Sequence, residues 1–153
     1  MAHLQGRTAS MIASTAIAVS VAGSGLTADD ASAMGVYRWK NRPVLIFAPS
    51  AQDARLQRQR SILMSKSRDL RDRDMVVIAI IGNAVRALVG RAPGRSAASL
   101  RKRCGVGGGS FRVLLVGKDG GVKLSSGAPI SSARLFSLID AMPMRRQEMR
   151  ERR

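Results

Sequence analysis

The chain has 153 residues, a net charge of +16 from 26 Lys+Arg against 10 Asp+Glu, and 45% apolar residues. That apolar share is too high for a disordered polycation, so the charge decorates a folded body with room for one core, and a polyanion or an acidic surface is the expected kind of partner. Aromatic residues at 3% count against base-stacking platforms, and a single Cys excludes an intramolecular disulfide, a CxxC motif and a Cys-based zinc cluster.

Residues 1–33 have a composition of their own. Arg7 is followed by the uncharged, small-residue apolar run Met11–Ala22, and Ala31-Ser32-Ala33 supplies an A-x-A site. This is the layout of a secretory signal peptide, and the run is too short to span a bilayer. Cleavage is expected after Ala33, with Ala22 and Ala28 as rivals; a plain N-terminal tail is the competing reading. Export would place the protein in the periplasm or outside the cell. Loss of the leader raises the net charge to +17, from one Arg and two Asp removed. His3 goes with it, taking histidine metal ligands and a histidine general base away from residues 34–153.

The following segment, 34–41, carries Tyr37 and Trp39, two residues apart, which suits an edge strand or a cover over the sheet. Val44–Phe47 is a short, wholly apolar strand that breaks at Pro49 and runs into a helix. Ser50 and Asp53 have the S-x-x-D spacing of a capping box at that helix start. A helical pattern then runs from Ala51 to Arg73, with Leu56, Leu63 and Leu70 as its apolar stripe. Arg55, Arg58, Arg60, Lys66, Arg68 and Arg71 cover the remaining face. That face reads as solvated, with a polyanion surface as the sharper alternative.

Met75–Ile81 is uniformly apolar, as a strand buried on both faces must be. Gly82-Asn83 ends it, and the glycines and proline of 84–94 point to an irregular loop. Ser96–Arg103 is a short helix, Phe111–Gly117 a strand, and Lys118-Asp-Gly-Gly121 a hairpin turn leading to a returning strand, Val122–Ser125. Ser131 or Ser132 caps a last amphipathic helix, which Pro143 ends or kinks. Residues 144–153 form a strongly basic tail.

Strand, long helix, strand, short helix, hairpin and helix make a βαβ-α-ββα order. A right-handed crossover makes the first two strands parallel, and the hairpin adds an antiparallel pair. The expected fold is α/β: a single thioredoxin-like three-layer sandwich over 34–150, following the signal peptide.

Three stretches resemble one known family. They are Tyr37-Arg-Trp-Lys-Asn-Arg-Pro-Val-Leu-Ile-Phe-Ala-Pro-Ser50, Val116-Gly-Lys-Asp-Gly-Gly-Val-Lys-Leu124, and the Leu135–Arg150 segment with its Asp140-Ala-Met-Pro-Met-Arg145 core. They are similar to the bacterial domain-of-unknown-function family 4174, over residues 37–150. The resemblance implies a thioredoxin-like fold distantly similar to peroxiredoxins, with relatives in secreted animal matrix proteins, and it implies no established activity.

A thioredoxin or peroxiredoxin keeps a Cys where the first core strand meets its helix, because the helix N-terminus lowers the thiol pKa. Here that turn is Pro49-Ser50-Ala51-Gln-Asp53, a vestigial active-site turn without a thiol. Ser50 has no histidine to activate it and suits a helix cap better than a nucleophile. Gly107-Gly-Gly-Ser-Phe111 stands where thioredoxins have a cis-proline. Cys104 is the sole redox candidate: its helix C-terminus disfavours the thiolate while Arg101, Lys102 and Arg103 favour it.

The basic cluster Arg145, Arg146, Arg150, Arg152 and Arg153, together with Lys118, supplies candidate anion-binding residues; a solubilising helix end is the plainer reading. No metal site and no small-molecule cofactor is expected. The preferred function is an exported, catalytically degenerate module that binds an anionic polymer, a membrane surface or an acidic protein. The alternatives are a one-cysteine redox enzyme or sensor using Cys104, and a cytoplasmic nucleic-acid binder if the leader stays attached.

Overall fold

Residues 34–153 are described by a computed structural model; the expected leader lies outside the described residues. A 3-10 turn (Gly35–Tyr37) precedes β1 (Arg42–Ala48), α1 (Ala54–Met64), α2 (Ser67–Asp72), β2 (Met75–Ile81) and β3 (Ala84–Val89). Then come α3 (Ala97–Cys104), β4 (Arg112–Val116), β5 (Val122–Ser126), α4 (Ser132–Asp140) and α5 (Pro143–Glu151).

The five strands form one mixed sheet in the order β3-β2-β1-β4-β5. β1 lies parallel to β2, with Val44 opposite Val77, and antiparallel to β4, with Val44 opposite Leu115. Every residue of β1 is buried, which is why neither it nor β2 alternates polar with apolar. Val44, Ile46, Val77, Ala79, Val113 and Leu115 face a core closed by Leu56, Leu63, Leu70, Leu135 and Ile139 of α1, α2 and α4. Leu45, Phe47, Ile78, Ile80 and Leu114 face a second core, closed by Ala97 and Leu100 of α3 with Met34 and Tyr37. The result is a three-layer α/β/α domain consistent with a thioredoxin-like fold.

Four elements differ from the sequence expectation. The Ala51–Arg73 helix is two helices, because the Ser65 hydroxyl turns back to donate to the Ile62 carbonyl (2.9 Å) and Lys66 leaves helical geometry. Leu56, Leu63 and Leu70 all stay buried across the break, so the stripe survives. The cap of α1 is Asp53, whose carboxylate accepts from the Arg55 N–H (2.9 Å), while Ser50 is exposed and offers only its carbonyl, to the Asp53 N–H. No reciprocal capping box forms.

Residues 84–89 are a strand and not a loop. Gly82-Asn83 makes a two-residue hairpin with Gly82 at φ +53, pairing Ile81 with Ala84. An edge strand exposed along much of its length has little apolar periodicity to announce it. It stops at Gly90, whose φ of +81 and close approach to Val76 Cγ1 leave no room for a Cβ.

Tyr37 and Trp39 belong to a turn and not to an edge strand, and Tyr37 takes the other expected role, a cover over the sheet. Tyr37 is buried and donates its hydroxyl to the Arg91 carbonyl; burial pushes its pKa up to about 12, so it remains a donor. Trp39 faces outward at φ 65, its N–H tied to the Lys118 carbonyl (2.7 Å) and its ring under the Arg38 guanidinium.

The remaining expectations hold closely. Ser96 and Ser131 cap α3 and α4. Asp119-Gly120 forms the β4–β5 turn, with Gly120 at φ +86 and Asp119 accepting from the Gly121 N–H. Pro143 separates the last two helices by occupying the first turn of α5, where its missing N–H costs nothing. The stretch expected to be a basic tail, 144–153, is instead mostly the helix α5, in which Arg145 is the buried residue.

Candidate functional site

The turn after β1 sits at the carboxyl ends of two parallel strands, the usual place for chemistry in α/β folds. Pro49 is half-buried and Ser50 and Ala51 are exposed. Asp53 is held by Arg55, whose side chain donates to both carboxylate oxygens (3.0 and 2.7 Å); that bond keeps the Asp53 carboxyl below its ordinary range. The ends of β1 and β2 themselves are filled from above by Arg101 of α3. Its Nη2 donates to the carbonyls of Ala48 (3.1 Å) and Gly82 (3.2 Å) and reaches that of Ile80, and Nη1 reaches the Gly107 carbonyl. The guanidinium lies 5.7 Å from the Phe47 ring centroid. Arg101 therefore closes strand ends that would otherwise be open, and it does so with carbonyls alone. One arginine in a run of three basic residues carries no sequence signal of such a role.

Cys104, in the last turn of α3, is half-buried beside Leu45, Leu114 and Val116. Desolvation raises its thiol pKa and outweighs the nearby Arg103 charge, which works in the opposite direction. Of the two opposing effects read from the sequence, neither the helix end nor the arginines decide the matter; burial does. Cys104 is expected to alkylate with iodoacetamide at neutral pH more slowly than a free thiol, with mass spectrometry as the readout. Reaction at or above the free-thiol rate would mean that the thiolate is stabilised after all.

The candidate anion-binding residues divide into two groups. Arg145 is buried at 3% exposure and donates to the Asp72 carbonyl (2.8 Å), the Asp72 carboxylate (2.5 Å) and Asp140 (3.3 Å). Lys118 is buried as well, between Asp74 (2.8 Å) and Glu148 (2.7 Å). Arg152 also contacts Asp72 (3.0 Å). Two residues unmarked by the sequence complete the network. Arg42, at 1% exposure, chelates Glu148 (3.0 and 3.3 Å), and Arg73 forks onto Asp140 (2.7 and 3.0 Å) under the Phe136 ring. The network ties α5 and α4 to the amino end of β1 and to the end of α2. Arg146, Arg150 and Arg153 remain exposed, with no ion pair among the described residues.

Two acids of this network, Glu148 and Asp72, lie below their ordinary pKa. Burial alone would raise the Glu148 pKa, but hydrogen bonds from Arg42 and Lys118 outweigh it, and the net shift is downward. Asp72 is lowered mainly by its bond from Arg145.

A second feature lies on the α1 face. The helical layer stops at α1, while the sheet extends one strand further to β3, leaving an open groove of about 740 Å³. Its floor includes Ala79, Ile81 and Leu88, and its charged side chains are Arg60 and Arg86. The groove runs to Ala51, in the turn after β1.

With this geometry in view, comparison with known families is decisive. The family described as "Domain of unknown function (DUF4174)" matches residues 34–148. The chain belongs to this family. Among its curated relatives is "Coiled-coil domain-containing protein 80" of Danio rerio, 32% identical over 130 residues, a match that covers 74% of this chain. The chain spans only 15% of that relative's length. The DUF4174 match begins at Met34, where the described structure begins, and runs through Glu148 of the ion-pair network. Among the described residues, no helix is long and apolar enough to cross a membrane.

Proposed function

We propose that this DUF4174 domain is an exported, catalytically degenerate thioredoxin-like module that binds an anionic partner through its basic exterior, after removal of residues 1–33. One observation supports the reading: six of the eight acids in residues 34–153 are held in ion pairs. Asp53, Asp72, Asp74, Asp119, Asp140 and Glu148 each hold an Arg or Lys. Arg58, Arg60, Arg68 and Arg71 on the outside of α1 and α2, like Arg146 and Arg150 on α5, are exposed without such a partner among the described residues. A surface of unpaired arginines attracts polyanions by releasing their counterions, and that attraction weakens steeply with salt.

The test is a salt titration with phosphatidylglycerol vesicles. Apparent affinity is expected to fall about tenfold or more between roughly 50 and 200 mM salt. Binding that is flat across that range, or no binding at low salt, would remove the electrostatic basis. Sequencing the amino terminus of protein recovered from cells tests export: a start at or near Met34 is expected, and a retained Met1 would move the partner question to the cytoplasm and to nucleic acid.

A further inference from the structure

The groove beside β3 differs from the rest of the basic exterior in three respects. It has an apolar floor, in which Ile81 and Leu88 are half-buried and Ala79 is fully buried. Arg60 from α1 and Arg86 from β3 flank it, both exposed, and no carboxylate lines it. Its outer border is the edge of the sheet: β3 pairs with β2 on one side and with no strand on the other among the described residues. A free strand edge presents main-chain N–H and C=O groups in a row, and of the usual guards against pairing this edge has one charge and one irregularity, where Val77 and Ile78 pair with Val89 and Ala87. Arg86 is the one charged residue of β3, and the strand has no proline.

We infer that this edge and groove receive an extended acidic segment of a partner protein, which adds to the sheet as a strand beside β3. In an added strand every second side chain points to the groove side. Apolar residues there continue the floor, and carboxylates meet Arg60 and Arg86. Nucleic acid and sulfated polysaccharide satisfy the arginines but have no use for the apolar floor, and they cannot continue a main-chain ladder. The groove chemistry therefore selects a peptide. The inference rests on the anionic-partner reading above and deepens it, assigning the contact to one place and one class of ligand.

The probe is a capped peptide, Thr-Glu-Thr-Val-Thr-Glu-Thr-Val, which presents Glu and Val on one face of a strand. Two controls replace Glu by Lys or a central Thr by Pro, the latter removing a ladder N–H. Binding to the whole protein is followed by backbone amide shifts and hydrogen exchange. The Glu peptide is expected to perturb and protect Ala84–Val89, and the Lys and Pro peptides to bind weakly or not at all. Arg60→Glu and Arg86→Glu, both surface changes, are each expected to weaken binding about tenfold, whereas Arg134→Glu, an exposed α4 residue outside the groove, has little effect.

Equal binding of the Pro peptide, shifts that leave β3 and the groove untouched, or equal losses from Arg134→Glu and Arg86→Glu would overturn the inference. So would absence of peptide binding alongside intact salt-dependent vesicle binding, an outcome that leaves the broader reading standing. Loss of the vesicle salt dependence as well would remove both.

Discussion

Glu148→Ala is expected to destabilise the fold by about 3 kcal/mol, measured by urea denaturation at neutral pH. The size follows from what the carboxylate neutralises. Arg42 is 1% exposed and Lys118 9%, and Glu148 accepts from both. Removing it leaves two desolvated cations, of which Lys118 keeps Asp74 and Arg42 keeps the Arg73 carbonyl at 2.9 Å. Those remaining partners hold the loss near the lower end of the range for breaking a buried pair. Replacing the pair together, as Arg42→Met with Glu148→Leu, is expected to recover much of the loss, because no orphaned charge remains between them. A single Glu148→Ala variant within about 0.5 kcal/mol of the parent would mean the network is as inconsequential as an exposed surface pair.

The same carboxylate sets an acid limit. Its folded pKa lies below the ordinary 4.5, so its contribution is fully present above that value and is lost as pH falls through it toward the folded pKa. Asp72 acts in the same direction. Stability is therefore expected to be flat from neutral pH down to about 5 and to decline below it. The Glu148→Ala variant should show a shallower decline than the parent.

Gln59→Leu is the second large effect, expected at about 2–4 kcal/mol despite the near-equal volume of the side chains. Gln59 is completely buried, accepts from the Ile130 N–H (2.6 Å) and donates to the Ile130 carbonyl (3.0 Å). One amide thus satisfies both main-chain groups of the residue that leads into α4. Leucine leaves both without partners in an apolar setting, and each orphan costs roughly 1–3 kcal/mol. Hydrogen exchange at the Ile130 amide should accelerate by more than global destabilisation explains. Equal stability of the two proteins would mean that water enters to replace the glutamine.

These residues show which parts of the molecule were legible in the sequence. The β1 and β2 strands, the β4–β5 turn and the Ser131 cap were readable because each is local chemistry: uniform apolarity, an Asp-Gly pair, a hydroxyl ahead of an apolar period. Gln59 had a signal too. It lies three residues after Leu56 and four before Leu63, on the buried stripe, where a polar residue must find partners. Arg145 falls between Met142 and Met149 at the same spacing, which places it inward, although charge density alone suggested a surface cluster. Arg42, Arg73 and Arg101 carried no comparable mark, since their acceptors lie on elements far away in the chain. The edge strand β3 was illegible because an exposed edge needs neither alternation nor a long apolar run. The groove, which depends on that strand, was illegible with it.

The carboxylates locked into ion pairs also determine how the protein responds to its surroundings. Residues 34–153 contain no histidine, the Tyr37 hydroxyl titrates only at about 12, and the Cys104 thiol is displaced upward. The carboxyls of Asp53, Asp72, Asp119 and Glu148 are held below their ordinary range by their Arg and Lys partners, and the arginines do not deprotonate. Between about pH 5 and pH 9 the side-chain charge is therefore nearly constant. Acidification within that window gives the protein no means of letting go of a bound polyanion. Release would be controlled by ionic strength, or by a competing anion of higher charge density.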